Sequence, residues 1–118
     1  MRYKIKILEG FFTACYWIIG IKNGEDVLNF TPCAAEAFNR NMNHRCLTVA
    51  EVISFGIYTN VLSQYSINAV WSRRSMQNKI VSLCLDASGP VLKWIDANEV
   101  NNQSITPSRL YIQPAFVN

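Results

Sequence analysis

The sequence predicts a single α+β domain in which an antiparallel sheet, three short helices and a β-hairpin follow one another along the chain. Three observations predict it. Apolar and polar residues alternate near the N-terminus and again after Ile80, as they do in strands. Between these regions apolar residues recur every three or four positions, as on one face of a helix. The chain has 118 residues, half of them hydrophobic, which suits one domain with a real core.

The first thirty residues carry the pattern of an antiparallel sheet. Residues 3–8, YKIKIL, alternate apolar and basic side chains, and residues 14–21, ACYWIIGI, are rich in β-branched and aromatic residues. The Asn23–Gly24 pair is a turn signal. Residues 27–30, VLNF, then predict a short third strand.

The next thirty residues carry two helix starts, and residues 31–80 are predicted to form a three-helix core. Thr31 is a good N-cap, and Pro32 suits the first helical position. Thr48 with Glu51 three residues later predicts a capping box, in which the threonine caps a backbone N–H and the glutamate reaches back. This second helix is predicted to end near Ile57.

A third helix is predicted over residues 62–80, within VLSQYSINAVWSRRSMQNKI. Ser63 is a plausible N-cap, and the spacing of Ile67, Val70 and Trp71 places them on one face. The remaining polar and basic residues are then expected to point outward. Such a face is either simply solvated or suited to an anionic partner.

Positive charge is concentrated in the middle of a chain whose net charge is +3. Between Ala37 and Leu85 the only acidic residue is Glu51. The bases in that interval are Arg40, Arg45, Arg73, Arg74 and Lys79. A basic middle with acids outside it is a weak indication of a polyanion-binding face, and random surface charge explains it about as well.

After Ile80 the period of two returns, and residues 81–118 are predicted to form a hairpin or wing. VSLCL, DASGP and VLKWI, over residues 81–95, predict a strand, a turn and a strand. Residues 96–104 are a polar loop. RLYIQPAFV, over residues 109–117, predicts a last extended segment, with Pro114 favouring an edge or an end.

This order of elements is that of a winged helix-turn-helix with an N-terminal sheet. Four segments resemble the OmpR-type DNA-binding domain, and within it the CadC/ToxR-like transcription regulators of bacteria. NGEDVLNFTP is similar to the turn and strand before the first helix of that family, and CLTVAEVISFGI to its second helix. VLSQYSINAVW is similar to the start of its recognition helix, and ITPSRLYIQ to the closing strand of its wing.

A helix in the major groove of DNA reads base edges with Asn, Gln and Arg, while Lys and Arg neutralise phosphates. The amides of the third helix are therefore expected at base edges, its hydroxyls at phosphate, sugar or thymine, and its basic residues at phosphate or base. The resemblance implies that a wing arginine enters the minor groove. In chain order the predicted DNA-binding residues are Gln64, Tyr65, Asn68, Ser72, Arg73, Arg74, Lys79 and Arg109.

The sequence predicts a cytoplasmic transcription regulator that binds double-stranded DNA, with a possible homodimer on repeated half-sites. It is not expected to be an enzyme or to need a cofactor or metal. It has one histidine, His44, and no glycine-rich phosphate loop. Its four cysteines lie at long, irregular spacings typical of small buried hydrophobes in a reducing compartment. The N-terminal apolar run is too short to span a membrane.

Two other interpretations stay open. One is a small α+β protein-interaction module of immunity or anti-defence type that binds no nucleic acid. Such a protein is expected to bury some residues of the basic segment, or to expose an apolar patch on the hairpin over residues 81–95. The other is a winged-helix fold that binds protein, because a fold does not fix a function.

Overall fold

The computed structural model of the chain describes residues 2–9, 12–72 and 78–111. Within them the chain forms two α-helices and eight strands in three sheets. The helices are α1, Pro32–Asn41, and α2, Val49–Tyr58. The strands are β1 Arg2–Glu9, β2 Phe12–Ile19, β3 His44–Cys46, β4 Ser66–Ala69, β5 Lys79–Asp86, β6 Gly89–Asp96, β7 Ser104–Ile105 and β8 Ser108–Leu110. The predicted winged helix-turn-helix with three helices is therefore wrong. No helix in these ranges is long and apolar enough to cross a membrane.

The N-terminal region is a two-stranded antiparallel hairpin, with Arg2 opposite Ile19 at one end of the β1–β2 ladder. The predicted third strand at residues 27–30 is wrong. Asn23 Oδ1 accepts the backbone N–H of Glu25 at 3.0 Å, and Gly24 has a left-handed backbone with φ +94°. These local bonds start a short 3-10 helix, Glu25–Val27, in place of a strand.

Both predicted helix starts are confirmed. Thr31 Oγ1 accepts the N–H of Ala34 at 3.1 Å, with Pro32 as the first residue of α1. At α2 the capping box is complete. Thr48 Oγ1 accepts the N–H of Glu51 at 3.2 Å, and Glu51 Oε1 accepts the N–H of Thr48 at 2.9 Å.

The predicted third helix is not formed. Its first residues make a short 3-10 helix, Val61–Ser63, and the next make strand β4. Ile67 of β4 lies directly opposite Leu83 of the antiparallel β5 and pairs with Ile105 of the parallel β7. A spacing of three and four residues suggested a helix, but the segment also fits a period of two. Hydrogen bonds to two distant strands decide between the two patterns.

The largest sheet has the order β6-β5-β4-β7, and α2 packs on one face of it. A Cβ at Gly56 would lie 2.9 Å from Leu83 Cδ2 and 3.5 Å from Ile67 Cδ1, so the absence of a side chain at Gly56 lets α2 approach these strands. On the other face a second cluster contains Cys46, Val70, Ile80 and Ala97. The predicted hairpin of residues 81–95 is confirmed as β5–β6.

A small second ladder places strand β8 beside β3, the strand between α1 and α2. Strands β3 and β8 pair antiparallel, with Arg45 directly opposite Arg109 and Cys46 opposite Ser108. β8 confirms the start of the predicted last extended segment, whose remaining residues from 112 onward lie outside the described ranges. This ladder brings positions near 45 and 109 together with the N-terminus of α2.

Candidate functional site

Several of the residues predicted to read DNA have structural contacts inside the fold, and Asn68 is the clearest case. Its side chain is buried in the β4–β5–β7 region of the sheet. Asn68 Nδ2 donates to Ser104 Oγ at 3.2 Å and to Thr106 Oγ1 at 3.1 Å, and Ser82 Oγ donates to Asn68 Oδ1 at 2.9 Å. Because both ends of the amide bind neighbouring hydroxyls, Asn68 holds the sheet together and cannot reach a base edge.

Arg109 is also internal. Its Nη1 donates to Glu51 Oε2 at 3.0 Å, and the Glu51 side chain is fully buried. Arg45 donates to the same carboxylate through both terminal nitrogens, at 2.7 Å and 2.9 Å. We call Arg45, Glu51 and Arg109 the ion triad. Burial with these charge-assisted bonds explains why Arg109 is not a wing residue free to enter a minor groove.

Ser72 and Tyr65 have structural contacts as well. Ser72 Oγ accepts the backbone N–H of Val49 at 2.8 Å, which satisfies a free donor in the first turn of α2. Tyr65 is half-buried and packs against the core cluster beneath α2. Neither side chain is therefore positioned as a phosphate ligand.

Of the remaining predicted residues, the structure describes Gln64 and Lys79. Gln64 is exposed in the turn before β4. Lys79 begins β5 opposite Asp96 and is half-buried. Arg73 and Arg74 lie outside the described residues. Gln64 is thus the one fully exposed member of the predicted set within the part of the chain that the structure describes.

A cleft of about 450 Å³ opens beside the ion triad. Trp71, which follows β4, and Tyr111, which follows β8, are 44% and 49% exposed. Their ring centroids are 6.0 Å apart at an angle of 51°. The guanidinium carbon of Arg45 lies 5.3 Å from the centroid of the Trp71 ring, a cation–π contact. Among the residues that the structure describes, the lining is Glu36, Arg40, Asn43, His44, Arg45, Trp71 and Tyr111.

The charge of this aromatic cleft comes from its arginines. Arg40, which is largely exposed, pairs with Glu36 at 2.9 Å one helical turn away. Burial and, to a smaller extent, the charge of Lys22 lower the pKa of His44 below its usual 6.5, so its ring is neutral at pH 7. Sequence reasoning noted the bases at Arg40 and Arg45 but missed the cleft, because its aromatic residues are 40 positions apart and meet only through the β3–β8 ladder.

A second surface lies on the outer strand of the large sheet. Leu85, Leu92 and Trp94 are 55%, 50% and 58% exposed. They share the α2-facing side of the sheet, since Leu92 lies opposite Leu83, which contacts Gly56 of the helix. Helix α2 covers β4 and β5 but leaves these three side chains in solvent. We call them the hairpin stripe.

The free edge of β6 coincides with this stripe. Pro90 lies opposite Leu85 and has no N–H to donate to β5, which fits a pair without hydrogen bonds. In such a pair the backbone groups of the β6 residue point away from β5. Since this orientation repeats every second residue, the backbone N–H and C=O of Leu92 and Trp94 also point outward. Within the described residues β6 has a hydrogen-bonded neighbour on one side alone. Its apolar side chains and its unpaired peptide groups therefore lie at the same positions.

No protein-family model, curated protein or solved structure matches this chain. The resemblance to OmpR-type domains therefore stays a hypothesis. In the described ranges no group of three or more His, Cys, Asp or Glu residues could hold a metal ion. Of the cysteines there, Cys46 is buried and its pKa is raised by burial to about 12, so it is a core residue and not a nucleophile.

Proposed function

We propose that this protein is a protein-interaction module that binds an extended strand of a partner protein along β6. The observation that carries the proposal is the hairpin stripe on a free strand edge. Native proteins usually protect such an edge with charge, a short strand or a covering element. β6 carries one such charge, Lys93, on its other face, but on its α2-facing side it shows Leu92 and Trp94. Strand addition would pair its outward peptide groups and cover both side chains.

The fate of the predicted DNA-binding residues agrees with this proposal. An interaction protein was expected to bury part of the basic segment or to expose an apolar patch on the hairpin. Within that segment Asn68 is buried and Lys79 is half-buried, and on the hairpin Leu85, Leu92 and Trp94 are exposed. The predicted reading of duplex DNA required a helix over residues 62–80, and residues 66–69 of that segment form a strand.

The chemistry of β6 favours a different protein over a second copy of this chain. An antiparallel self-pair centred on Leu92 sets Pro90, which lacks an N–H, opposite Trp94. One centred on Lys93 sets two lysines opposite each other, which is unfavourable. One centred on Trp94 sets Asp96 opposite Leu92. Each register loses a hydrogen bond, opposes like charges or places a carboxylate against an apolar side chain.

The exposed Lys93 side chain points to the face opposite the hairpin stripe, because alternate residues of a strand face opposite sides. A complementary partner strand therefore carries apolar residues opposite Leu92 and Trp94, with an acidic residue between them opposite Lys93. The partner is thus expected to present a strand in which apolar and acidic residues alternate.

Synthetic peptides test this pattern directly. A peptide in which valine alternates with glutamate is expected to bind and to slow hydrogen exchange of the Leu92 and Trp94 amides, as followed by NMR. The matched peptide with lysine in place of glutamate is expected to bind about two- to fivefold more weakly for each cross-strand pair. Lys93→Glu should reverse this preference.

Two further variants distinguish binding at the hairpin stripe from nonspecific hydrophobic binding. Trp94→Lys should abolish peptide binding, whereas Val100→Lys, at an exposed apolar residue beyond β6, should leave it unchanged. The proposal fails if neither peptide protects the β6 amides. It also fails if sedimentation shows a homodimer that Trp94→Lys dissociates, because the edge would then serve self-association.

A further inference from the structure

We propose that the aromatic cleft is a nucleotide-binding site, in which a base stacks on Trp71 or Tyr111 and a phosphate binds Arg40. This inference is independent of the strand surface on β6. It rests on three features found together in one place: a cavity of suitable size, exposed aromatic rings and a guanidinium group that a ligand can recruit.

The size and lining of the cleft suit a small planar ligand. Its volume of about 450 Å³ lies within the range of ordinary small-molecule sites. Trp71 and Tyr111 each leave almost half of their surface in solvent, so part of each ring is open to a ligand. Exposed aromatic rings next to basic residues are the usual platform on which proteins stack unpaired bases.

The ion triad holds this platform in place. Arg45 lies over the Trp71 ring, and both of its terminal nitrogens are fixed by the Glu51 carboxylate. The backbone N–H of Trp71 donates to Leu47 O at 3.1 Å, and that of Tyr111 donates to Asn43 O at 3.0 Å. The aromatic residues are therefore held by the β3 region before a ligand arrives, which lowers the entropic cost of binding.

The phosphate contact is assigned to Arg40. Its side chain is largely exposed, and its pair with Glu36 is of the surface type that contributes little free energy. A phosphate offers a guanidinium two charge-assisted bonds and can replace that contact. Arg45 adds positive charge without leaving Glu51. The two ion-pair groups at the site contain three arginines and two glutamates, so their net charge is positive. These residues are Arg40, Arg45, Arg109, Glu36 and Glu51.

Calorimetry with adenosine monophosphate and with adenosine tests both halves of the site. The nucleotide is expected to bind saturably, and the nucleoside about tenfold more weakly, because a charge-assisted bond to Arg40 is lost. Arg40→Gln should reduce nucleotide affinity by a similar factor and leave nucleoside affinity unchanged. Equal binding of both ligands to the wild type would overturn the assignment of the phosphate to Arg40.

Stacking is tested by two aromatic variants and a matched control. Trp71→Leu and Tyr111→Leu should weaken nucleotide binding about five- to hundredfold at the residue that stacks. Tyr58→Leu removes a more exposed aromatic ring at the end of α2, outside the cleft lining, and should have no effect. Since Tyr111 is at the surface, its variant is expected to fold even if Trp71→Leu does not. Unchanged binding in both cleft variants would refute the site.

The source of the nucleotide is distinguished by a labelled single strand and its duplex. A single-stranded oligonucleotide that binds more tightly than the mononucleotide, with loss in the same variants, would assign the site to a base within a strand. Tighter binding of the free mononucleotide would assign it to a soluble ligand. Duplex binding as strong as that of the single strand would contradict the proposal, because paired bases cannot enter the cleft.

Discussion

Arg109 donates a 3.0 Å hydrogen bond to the buried carboxylate of Glu51, although 58 positions separate the two residues in the sequence. The same carboxylate accepts two bonds from Arg45 and one from the backbone of Thr48. One glutamate thus caps α2, pairs with two arginines and ties α2 to the β3–β8 ladder. A local cap and a long-range tertiary contact share a single side chain.

Removing this charge should be strongly destabilising. Glu51→Gln leaves Arg45 and Arg109 in a buried site without their counter-charge, and we expect the free energy of unfolding to fall by about 3–5 kcal/mol. Urea denaturation followed by far-UV circular dichroism measures the change. Glu36→Gln is the matched control, because it breaks a pair with a largely exposed arginine and should cost less than about 1 kcal/mol. Similar losses in the two variants would contradict a structural role for the ion triad.

Asn68 is expected to stabilise the sheet through its amide. Asn68→Ala removes the amide partner of Ser82, Ser104 and Thr106, although Ser82 and Ser104 keep bonds to Ile67 O and Asn101 O. We therefore expect a total loss of about 1–3 kcal/mol in the free energy of unfolding. The variant should therefore unfold at a clearly lower denaturant concentration. Asn29→Ala, at an exposed turn residue, should shift the free energy of unfolding by no more than about 0.5 kcal/mol. An Asn68 variant as stable as the wild type would reopen its assignment to a binding surface.

Alanine substitutions at two glycines distinguish the destabilisation caused by backbone strain from that caused by steric conflict. Gly24 and Gly89 both have positive φ, +94° and +116°. A Cβ at Gly24 would lie 2.6 Å from the carbonyl of Thr106, whereas one at Gly89 meets nothing within 4 Å. Both alanine variants should be destabilised by about 1–3 kcal/mol of backbone strain. Gly24→Ala should lose more, since the backbone of residue 106 must also move.

Thermal denaturation of the two glycine variants in the same buffer gives this difference directly. Gly89→Ala serves as the strain-only reference for Gly24→Ala. If both variants had the same melting temperature, the close approach of the residue 24 turn to the backbone of Thr106 would make no contribution to stability.

The single histidine should make stability depend on pH near neutrality. Burial and the charge of Lys22 lower the pKa of His44 in the folded protein, while the nearby Asp26 opposes the shift. The unfolded chain therefore binds a proton more readily than the folded one. The contribution of the neutral His44 to the free energy of unfolding is fully present above pH 6.5. It is lost as the pH falls below 6.5 towards the pKa of His44 in the folded protein.

Denaturant titrations between about pH 7.5 and 5.5 measure this slope, because acidic side chains titrate mainly below that window. His44→Gln should flatten the dependence while leaving the stability at the upper end similar. A wild-type protein that became more stable as the pH fell through this window would show that the folded pKa is raised instead.

Local signals predicted individual elements correctly, although the winged helix-turn-helix built from them was wrong. The caps at Thr31 and Thr48 and the β5–β6 hairpin depend on hydrogen bonds between residues a few positions apart, so their sequence patterns are sufficient. The interpretation of residues 62–80 as a helix was wrong. Ile67 and Trp71, four positions apart, fit either period, whereas Val70 belongs to the opposite side of the sheet, and the partners that select a strand lie elsewhere in the chain.

The two candidate surfaces also differ in whether a local sequence pattern could predict them. Exposure of Leu92 and Trp94 follows from the hairpin pattern once it is known that α2 does not extend over β6. The cleft between Trp71 and Tyr111 has no local signature, since its rings come from the ends of two different ladders. Charge counting identified Arg45 as part of a basic region but gave no sign that Glu51 binds it.

The sequence by itself determined where the two helices begin, where the β5–β6 hairpin turns and that the chain has enough apolar residues for one core. Only the tertiary structure decided that residues 66–69 form a strand, that Asn68 and Arg109 are internal and that β6 keeps a free edge. The physical reason is the range of the interactions. Caps and tight turns are satisfied within a few residues, whereas strand pairing and buried ion pairs need partners brought from distant parts of the chain.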